Sequence, residues 1–160
     1  MANDFSLEEM IPTMVETLKS GGEVTFTVTG NSMLPMLHHK QDTVTLSAVS
    51  GRLKKRDIPF YKKGDKYVLH RIIKVRDKDY IIRGDNCYFT ENGITDDDII
   101  GVVTAFTRKG RLHSVNEVGY RFYSFMRSNC ASYFFRKNIY LPVRAFGGRI
   151  KRKLFKSKRG

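Results

Sequence analysis

Several features that would assign the chain to a common class are missing or rare. Its two cysteines, Cys87 and Cys130, are far apart, which disfavours both a disulfide framework and a zinc motif. Its uninterrupted apolar runs are only a few residues long, whereas a bilayer span takes about 20 apolar residues, so no transmembrane helix is predicted. The first 20 residues include four acids, unlike a secretory signal peptide. These absences favour a reducing, cytoplasmic compartment.

Acidic residues are absent from the last part of the chain. Residues 118–160 contain twelve Lys or Arg and no Asp or Glu, so they hold +12 of the formal net charge of +13. Apolar residues recur there at helical spacing, which predicts two basic amphipathic helices. The apolar positions are Tyr123, Met126, Cys130 and Phe134, and, after Pro142, Val143, Phe146, Ile150 and Leu154.

Three interpretations of this basic segment stay open. It is suited to an anionic membrane, where each basic residue near the surface contributes about 1 kcal/mol and aromatic side chains insert at the interface. It is also suited to packing its apolar stripes against the rest of the protein, with the basic side in water. Binding to nucleic acid through phosphate charge is the third interpretation.

The remainder of the chain predicts a mostly β protein. From residue 24 to about residue 114, short strands are separated by turns, which favours a coiled β-sheet or a partly open barrel. The predicted turns lie at Lys62–Asp65, Asp77–Asp79, Glu91–Gly93 and Arg108–Gly110. We expect three parts: an N-terminal helical segment in 1–22, a β catalytic domain in 23–117 and a basic helical tail in 118–160.

The N-terminal segment predicts a short helix from Phe5 to Lys19. Ser6 is the candidate cap, and the pair Gly21-Gly22 is the stop signal. Its predicted apolar side consists of Met10, Ile11, Met14 and Leu18.

A serine lies in the loop that follows the first predicted strand. Residues 24–28 alternate between apolar residues and threonine, which predicts a half-buried strand. Ser32 comes next, between Gly30, whose backbone adopts angles forbidden to other residues, and Pro35, which stiffens the exit. Such a constrained loop presents the Ser32 hydroxyl as a nucleophile, provided that a neighbouring base removes its proton.

His70 is the best-placed candidate for that base. It lies on an apolar segment, Tyr67 to Val75, that predicts a single strand. A turn then leads to a further strand that ends at Asp85. This aspartate would orient the imidazole as the third member of a serine, histidine and aspartate set.

A structural interpretation of the same residues stays open beside the catalytic one. In it, Ser32 is an ordinary turn serine, His70 is a satisfied strand histidine with Arg71 paired to an outside acid, and 84–86 form a turn. The neighbouring histidines at 38–39 lack acids or cysteines at ligand spacing, and are interpreted as surface residues rather than metal ligands. No metal site is predicted.

An ordered set of short segments between Val24 and Val103 resembles type I signal peptidases and the LexA-type self-cleaving repressors. The segments are Gly30-Asn31-Ser32-Met33-Leu34-Pro35, Asp42, Asp57-Ile58, Val68-Leu69-His70-Arg71-Ile72, Arg83-Gly84-Asp85-Asn86 and Ile99-Ile100-Gly101-Val102-Val103. In that family the serine of a Ser-Met-x-Pro motif attacks the scissile carbonyl, which implies this role for Ser32. Most bacterial members use lysine as base. Those resembling the endoplasmic-reticulum and archaeal enzymes use histidine followed by arginine, which implies His70.

The resemblance also implies roles for acids near the pair. The aspartate of the Gly-Asp-Asn segment corresponds to Asp85, as partner of the base or as structural anchor of the site. A further acid often follows six residues later, where this chain has Glu91, and the nearby run Asp96–Asp98 is a possible substitute. Which of these acids contacts His70 stays open.

The loop around Ser32 has implied roles of its own. Family members build the oxyanion hole from the backbone N–H of the nucleophile, with a second donor that here would come from Thr29 or a backbone group. The side chains of Met33 and Pro35 are expected to hold the loop. Gly30 and Asn31 are the other two residues assigned to this oxyanion loop.

We therefore predict a signal-peptidase-like serine endopeptidase that forms an acyl-enzyme on Ser32 and needs no metal or organic cofactor. Its expected substrate is a peptide or protein. The absence of an anchor favours dedicated processing or self-processing over routine removal of signal peptides. The habit of the family makes an anionic membrane surface the favoured partner of residues 118–160, at the inner face of the membrane. The alternative is a non-catalytic module that docks on membrane or nucleic acid through this segment.

Overall fold

A computed structural model describes residues 7–129, which form two helices, a 3-10 turn and nine strands. Helix α1 spans Leu7–Lys19 and α2 spans Val118–Ser128. The 3-10 turn is Asp96–Asp98. The strands are β1 (Val24–Thr27), β2 (Thr43–Ser47), β3 (Pro59–Lys63), β4 (Lys66–Leu69), β5 (Arg71–Val75), β6 (Tyr80–Arg83), β7 (Glu91–Ile94), β8 (Ile99–Arg108) and β9 (Arg111–Ser114). The predicted cap Ser6 and the predicted helical positions from Cys130 onward lie outside the described residues.

The strands form two antiparallel sheets, which confirms the prediction of a mostly β fold. The larger sheet has the order β1-β2-β8-β3-β4, with β9 added to β8, and curls into a half-barrel. The smaller sheet has the order β5-β6-β7. One core cluster lies between α1 and the larger sheet, and a second includes Tyr61, Tyr80 and Ile82.

The two end strands of the larger sheet, β1 and β4, run in the same direction. Each neighbouring pair along the path from β1 to β4 is antiparallel, and four such steps restore the original direction. The segments that leave β1 and β4 therefore emerge at the same end of the sheet. Ser32 follows β1 and His70 follows β4.

The prediction of one strand from Tyr67 to Val75 is wrong. β4 pairs with β3 in the larger sheet, whereas β5 pairs with β6 in the smaller one, and His70 is the single residue between them. The backbone changes sheets at this residue, although the apolar pattern continues through it. The change places the His70 side chain where the two sheets meet.

The predicted turn at Glu91–Gly93 is also wrong, because these residues begin β7. β7 pairs with β6, with Ile82 opposite Glu91. Gly93 has a φ of 79° within the strand, a conformation that glycine adopts without strain. The pairing turns the Glu91 side chain into the protein, where the residue is 8% exposed.

The helix α1 confirms most of its predicted apolar side. Ile11, Met14 and Leu18 are buried against the larger sheet, but Met10 is 38% exposed and does not belong to this side. The helix ends before Gly21, whose positive φ provides the predicted stop. Within residues 7–129, neither helix has the length and apolar content required to cross a bilayer.

The helix α2 packs the rings of Tyr120 and Tyr123 against the core and leaves several other apolar side chains exposed. Ser124 and Ser128 are buried on its inner side, whereas Phe122 and Met126 are exposed. Tyr123 and Met126, which the helical spacing places on one apolar side, differ in burial, because the hydroxyl of Tyr123 makes a hydrogen bond inside the protein whereas Met126 is 44% exposed.

Candidate functional site

Two predicted site residues, Ser32 and His70, both approach Gly84, Ser32 through its backbone carbonyl and His70 through its ring. A Cβ atom built on Gly84 would lie 2.7 Å from the Ser32 carbonyl oxygen, 3.0 Å from His70 Cδ2 and 2.8 Å from Cys87 Sγ. Real Cβ contacts are essentially never shorter than 3.0 Å, so only glycine fits here without rearrangement. The turn after β6 thus allows the loop after β1 to approach the histidine after β4.

The Ser32 loop is held against this turn by hydrogen bonds from Asn86. The Asn86 backbone N–H donates to the Ser32 carbonyl at 2.7 Å, and its side-chain amide donates to the Asn31 carbonyl at 3.1 Å. The predicted Gly-Asp-Asn segment is therefore in direct contact with the Ser32 loop.

Three other residues that were predicted to shape this loop are Gly30, Met33 and Pro35. Gly30 has a φ of 84°, and its N–H donates to His39 Nδ1 at 2.9 Å. The side chain of Met33 is buried, and the Leu34–Pro35 peptide bond is cis. His39 thus has a structural contact in this loop.

The Nδ1 edge of the His70 ring faces an acid and a tyrosine. His70 Nδ1 lies 3.3 Å from Glu91 Oε1 and 3.2 Å from the Tyr61 hydroxyl. Tyr61 donates to Glu91 Oε2 at 3.0 Å, and Lys63 Nζ donates to the same oxygen at 2.9 Å. The Cδ2 side of the ring, which carries Nε2, faces Gly84. An imidazole so arranged is oriented at Nδ1 and offers Nε2 for proton transfer.

The surroundings of His70 favour its neutral form. Burial lowers the pKa of His70, and this effect outweighs the opposing influence of Glu91 and Asp85. Burial raises the pKa of Glu91, but hydrogen bonds from Lys63 and Tyr61 outweigh this effect, so the net pKa of Glu91 is lowered. At neutral pH the pair therefore consists of a neutral imidazole and a charged carboxylate, which are the states required of a general base and its partner.

Of the two acids predicted as partners of His70, Glu91 lies at Nδ1 and Asp85 contacts Arg71. Both Asp85 oxygens accept hydrogen bonds from Arg71, from Nε at 2.8 Å and from Nη2 at 2.7 Å. This geometry corresponds to the predicted role of structural anchor. Arg71 is wholly buried, so its partner is not an outside acid. In the run 96–98, Asp96 instead pairs with Arg52.

Removing Asp85 will strongly destabilise the protein. Loss of one partner from a buried ion pair leaves the other charge uncompensated, so Asp85→Ala is expected to lower the free energy of unfolding by about 3–5 kcal/mol. The matched control is Asp79→Ala, which breaks a surface pair with Arg76 and should have a much smaller effect. Urea unfolding followed by circular dichroism measures both. Equal losses in the two variants would contradict this role of Asp85.

A cleft lined by apolar side chains and by the polar loop residues 29–32 begins at Ser32. Its volume is about 100 Å³, and it lies between β1 and β4. Three aromatic rings line it, since Phe60 lies 5.2 Å from Phe26 in a tilted contact and 6.0 Å from Tyr67 in a stacked one, between ring centroids. The cleft thus joins the Ser32 loop to the two end strands of the sheet.

Sequence reasoning missed Tyr61 and Lys63 as neighbours of the base. They lie two residues apart on β3, so they share one face of the strand and both reach Glu91. The sequence Pro59–Lys63 has no apolar–polar alternation that would identify this face, and nothing in it indicates that β7 supplies their partner. Comparisons of the chain with protein-family models, with curated proteins and with solved structures find no match.

Proposed function

We propose that the protein is a serine endopeptidase in which His70 is the general base for Ser32. The observation that carries this proposal is the position of His70, with Nδ1 against Glu91 and the opposite edge toward Gly84 and the Ser32 loop. His70 takes the hydroxyl proton as Ser32 Oγ attacks the scissile carbonyl carbon. It then protonates the leaving amine, and water hydrolyses the ester on Ser32 with His70 again as base.

The proposed substrate is an extended peptide that enters between β1 and β4. Among the described strands, each of these two pairs with a single neighbour, so each leaves one edge for a further strand. Backbone pairing with such an edge provides affinity, and the cleft next to Ser32 accepts a side chain. The scissile bond then lies at the end of the sheet where both catalytic residues emerge.

The proposed oxyanion donor is the backbone N–H of Ser32 itself. The hydrogen bonds from Asn86 fix the peptide groups on either side of residue 32, which supports a preorganised donor. The resemblance to signal peptidases and LexA-type repressors supports the same assignment. A curled antiparallel sheet agrees with their fold class at a coarse level.

A fluorophosphonate probe tests the proposal, because it reacts with activated serines without requiring a known substrate. We expect the unmodified protein to be labelled at Ser32, as located by peptide mass spectrometry, and Ser32→Ala to remain unlabelled. Ser50→Ala is the matched control, since this serine lies in the exposed segment after β2, and it should be labelled like the unmodified protein. Equal labelling of Ser32→Ala would contradict the proposal, as would a protein that is neither labelled nor able to cleave any member of a peptide library.

A further inference from the structure

We propose that Tyr120 and Tyr123 of α2 are positioning residues for Ser32 and His70, so that α2 is part of the active site. The inference rests on the proposed function. It is carried by hydrogen bonds from the two hydroxyls to the buried ion pair between Arg71 and Asp85, which adjoins His70 in the chain and the turn that holds the Ser32 loop.

The hydroxyl of Tyr120 completes the hydrogen bonding of a buried guanidinium. Arg71 Nε and Nη2 donate to Asp85, Nη2 also contacts Met36 Sδ at 3.3 Å, and Nη1 donates to the Arg56 carbonyl at 3.1 Å. The remaining Nη1 donor goes to the Tyr120 hydroxyl at 2.9 Å. A guanidinium has five N–H donors, so every one is then used. Loss of the Tyr120 hydroxyl leaves one donor of a wholly buried cation without a partner.

The hydroxyl of Tyr123 binds Asp85, the other member of the buried ion pair. It donates to Asp85 Oδ2 at 3.0 Å. Asp85 stands between Gly84, which both Ser32 and His70 approach, and Asn86, which holds the Ser32 loop. Tyr123 therefore acts on the turn that fixes the distance between nucleophile and base.

Arg71 also links the ion pair directly to His70 and to the Ser32 loop. Arg71 directly follows His70 in the chain, and its contact with Met36 lies at the end of the Ser32 loop. A shift of the guanidinium would therefore move the base and the nucleophile loop relative to each other. A displacement of about 1 Å is sufficient to lower a reaction rate by about a hundredfold.

Substitution of each tyrosine by phenylalanine isolates the hydroxyl. The rings of Tyr120 and Tyr123 lie 5.5 and 5.7 Å from the guanidinium carbon of Arg71, and a phenylalanine ring keeps this cation–π contact. Tyr80→Phe is the matched control. Tyr80 is also buried and its hydroxyl also donates to a carboxylate, but this carboxylate is that of Asp96 in the 3-10 turn, outside the Arg71–Asp85 pair.

The first measurement is the cleavage of a peptide selected with the unmodified protein. We expect Tyr120→Phe and Tyr123→Phe to lower kcat about tenfold with KM unchanged, because they disturb the geometry of the reacting groups and not the peptide cleft. Tyr80→Phe should lower the melting temperature and leave kcat unchanged. The outcome that overturns the proposal is a Tyr123→Phe protein that loses stability as Tyr80→Phe does and keeps its full kcat.

The second measurement, an NMR titration of the His70 ring, does not depend on activity. The charged and titratable groups facing this ring are Tyr61 and Lys63 from β3, Glu91 from β7, and Asp85 and Cys87 from the turn after β6. Tyr123→Phe removes a hydrogen bond from Asp85, which increases the negative potential at His70, so the titration midpoint should move to higher pH. Tyr80→Phe should leave it unchanged.

The two measurements separate failure of this inference from failure of the proposed function. If the labelling experiment excludes Ser32 as nucleophile, the His70 titration still shows whether Tyr123 acts on the base. An unchanged midpoint and an unchanged kcat in Tyr123→Phe would reject the inference while leaving the peptidase proposal intact.

Discussion

Replacing His70 with alanine is expected to lower kcat/KM for peptide cleavage by about three to six orders of magnitude. In the proposed mechanism His70 removes the proton of Ser32, and without the imidazole the neutral hydroxyl is a weak nucleophile. Ser32→Ala should have a loss of similar size. The double variant should be no slower than either single variant, because nucleophile and base act as one unit. The measurement is the cleavage rate of a peptide that the unmodified protein processes.

The control for this prediction is Lys78→Ala. Lys78 is exposed in the turn between β5 and β6, so its loss should leave the cleavage rate unchanged. A His70→Ala protein that retains a tenth or more of the original rate would contradict the role of His70 as base. Additive losses in the double variant would contradict the joint action of the two residues.

Replacing Glu91 with glutamine is expected to have two effects on the pH profile of the cleavage rate. In the unmodified protein the rate should rise with pH as His70 loses its proton, with a midpoint below the ordinary histidine pKa of about 6.5, because burial lowers the pKa of His70. The negative charge of Glu91 opposes that lowering. Glu91→Gln removes the charge, so the midpoint should move to still lower pH. The plateau rate should fall by about 10²–10⁴-fold, because the amide no longer stabilises the imidazolium.

Both the plateau rate and the direction in which the midpoint shifts test the role of Glu91. If Asp85 were the acid that acts on His70, Glu91→Gln would leave the plateau rate nearly unchanged. A midpoint that moves to higher pH would contradict the electrostatic argument itself. Glu16→Gln is the control, since this residue is exposed on α1 and should change neither the plateau nor the midpoint.

The parts of the site that could be predicted from sequence are those with a local cause. A strand of alternating residues, a glycine of positive φ and a proline place Ser32 in a held loop after β1, and each of these signals lies within about ten residues. The mostly β character follows in the same way from short alternating runs and turn residues. The helix α1 confirms its stop at Gly21 for a local reason as well.

The parts that could not be predicted depend on pairing between distant segments. The apolar pattern from Tyr67 to Val75 is continuous, and only the partners β3 and β6 reveal that the backbone changes sheets at His70. The sequence Glu91-Asn92-Gly93 is typical of a turn, and only its pairing with β6 makes it a strand that directs Glu91 toward the base. The hydroxyl of Tyr123 likewise meets an aspartate 38 residues earlier.

The common direction of β1 and β4 has a consequence for any peptide that lies between them. If the two edge strands ran in opposite directions, a peptide would be parallel to one and antiparallel to the other whichever way it lay. Because β1 and β4 run in the same direction, a peptide between them is either parallel to both or antiparallel to both. Reversing the peptide therefore changes the geometry of every backbone hydrogen bond that it makes with them. The gap between these strands therefore distinguishes a sequence from its reversal, before any side chain has been recognised.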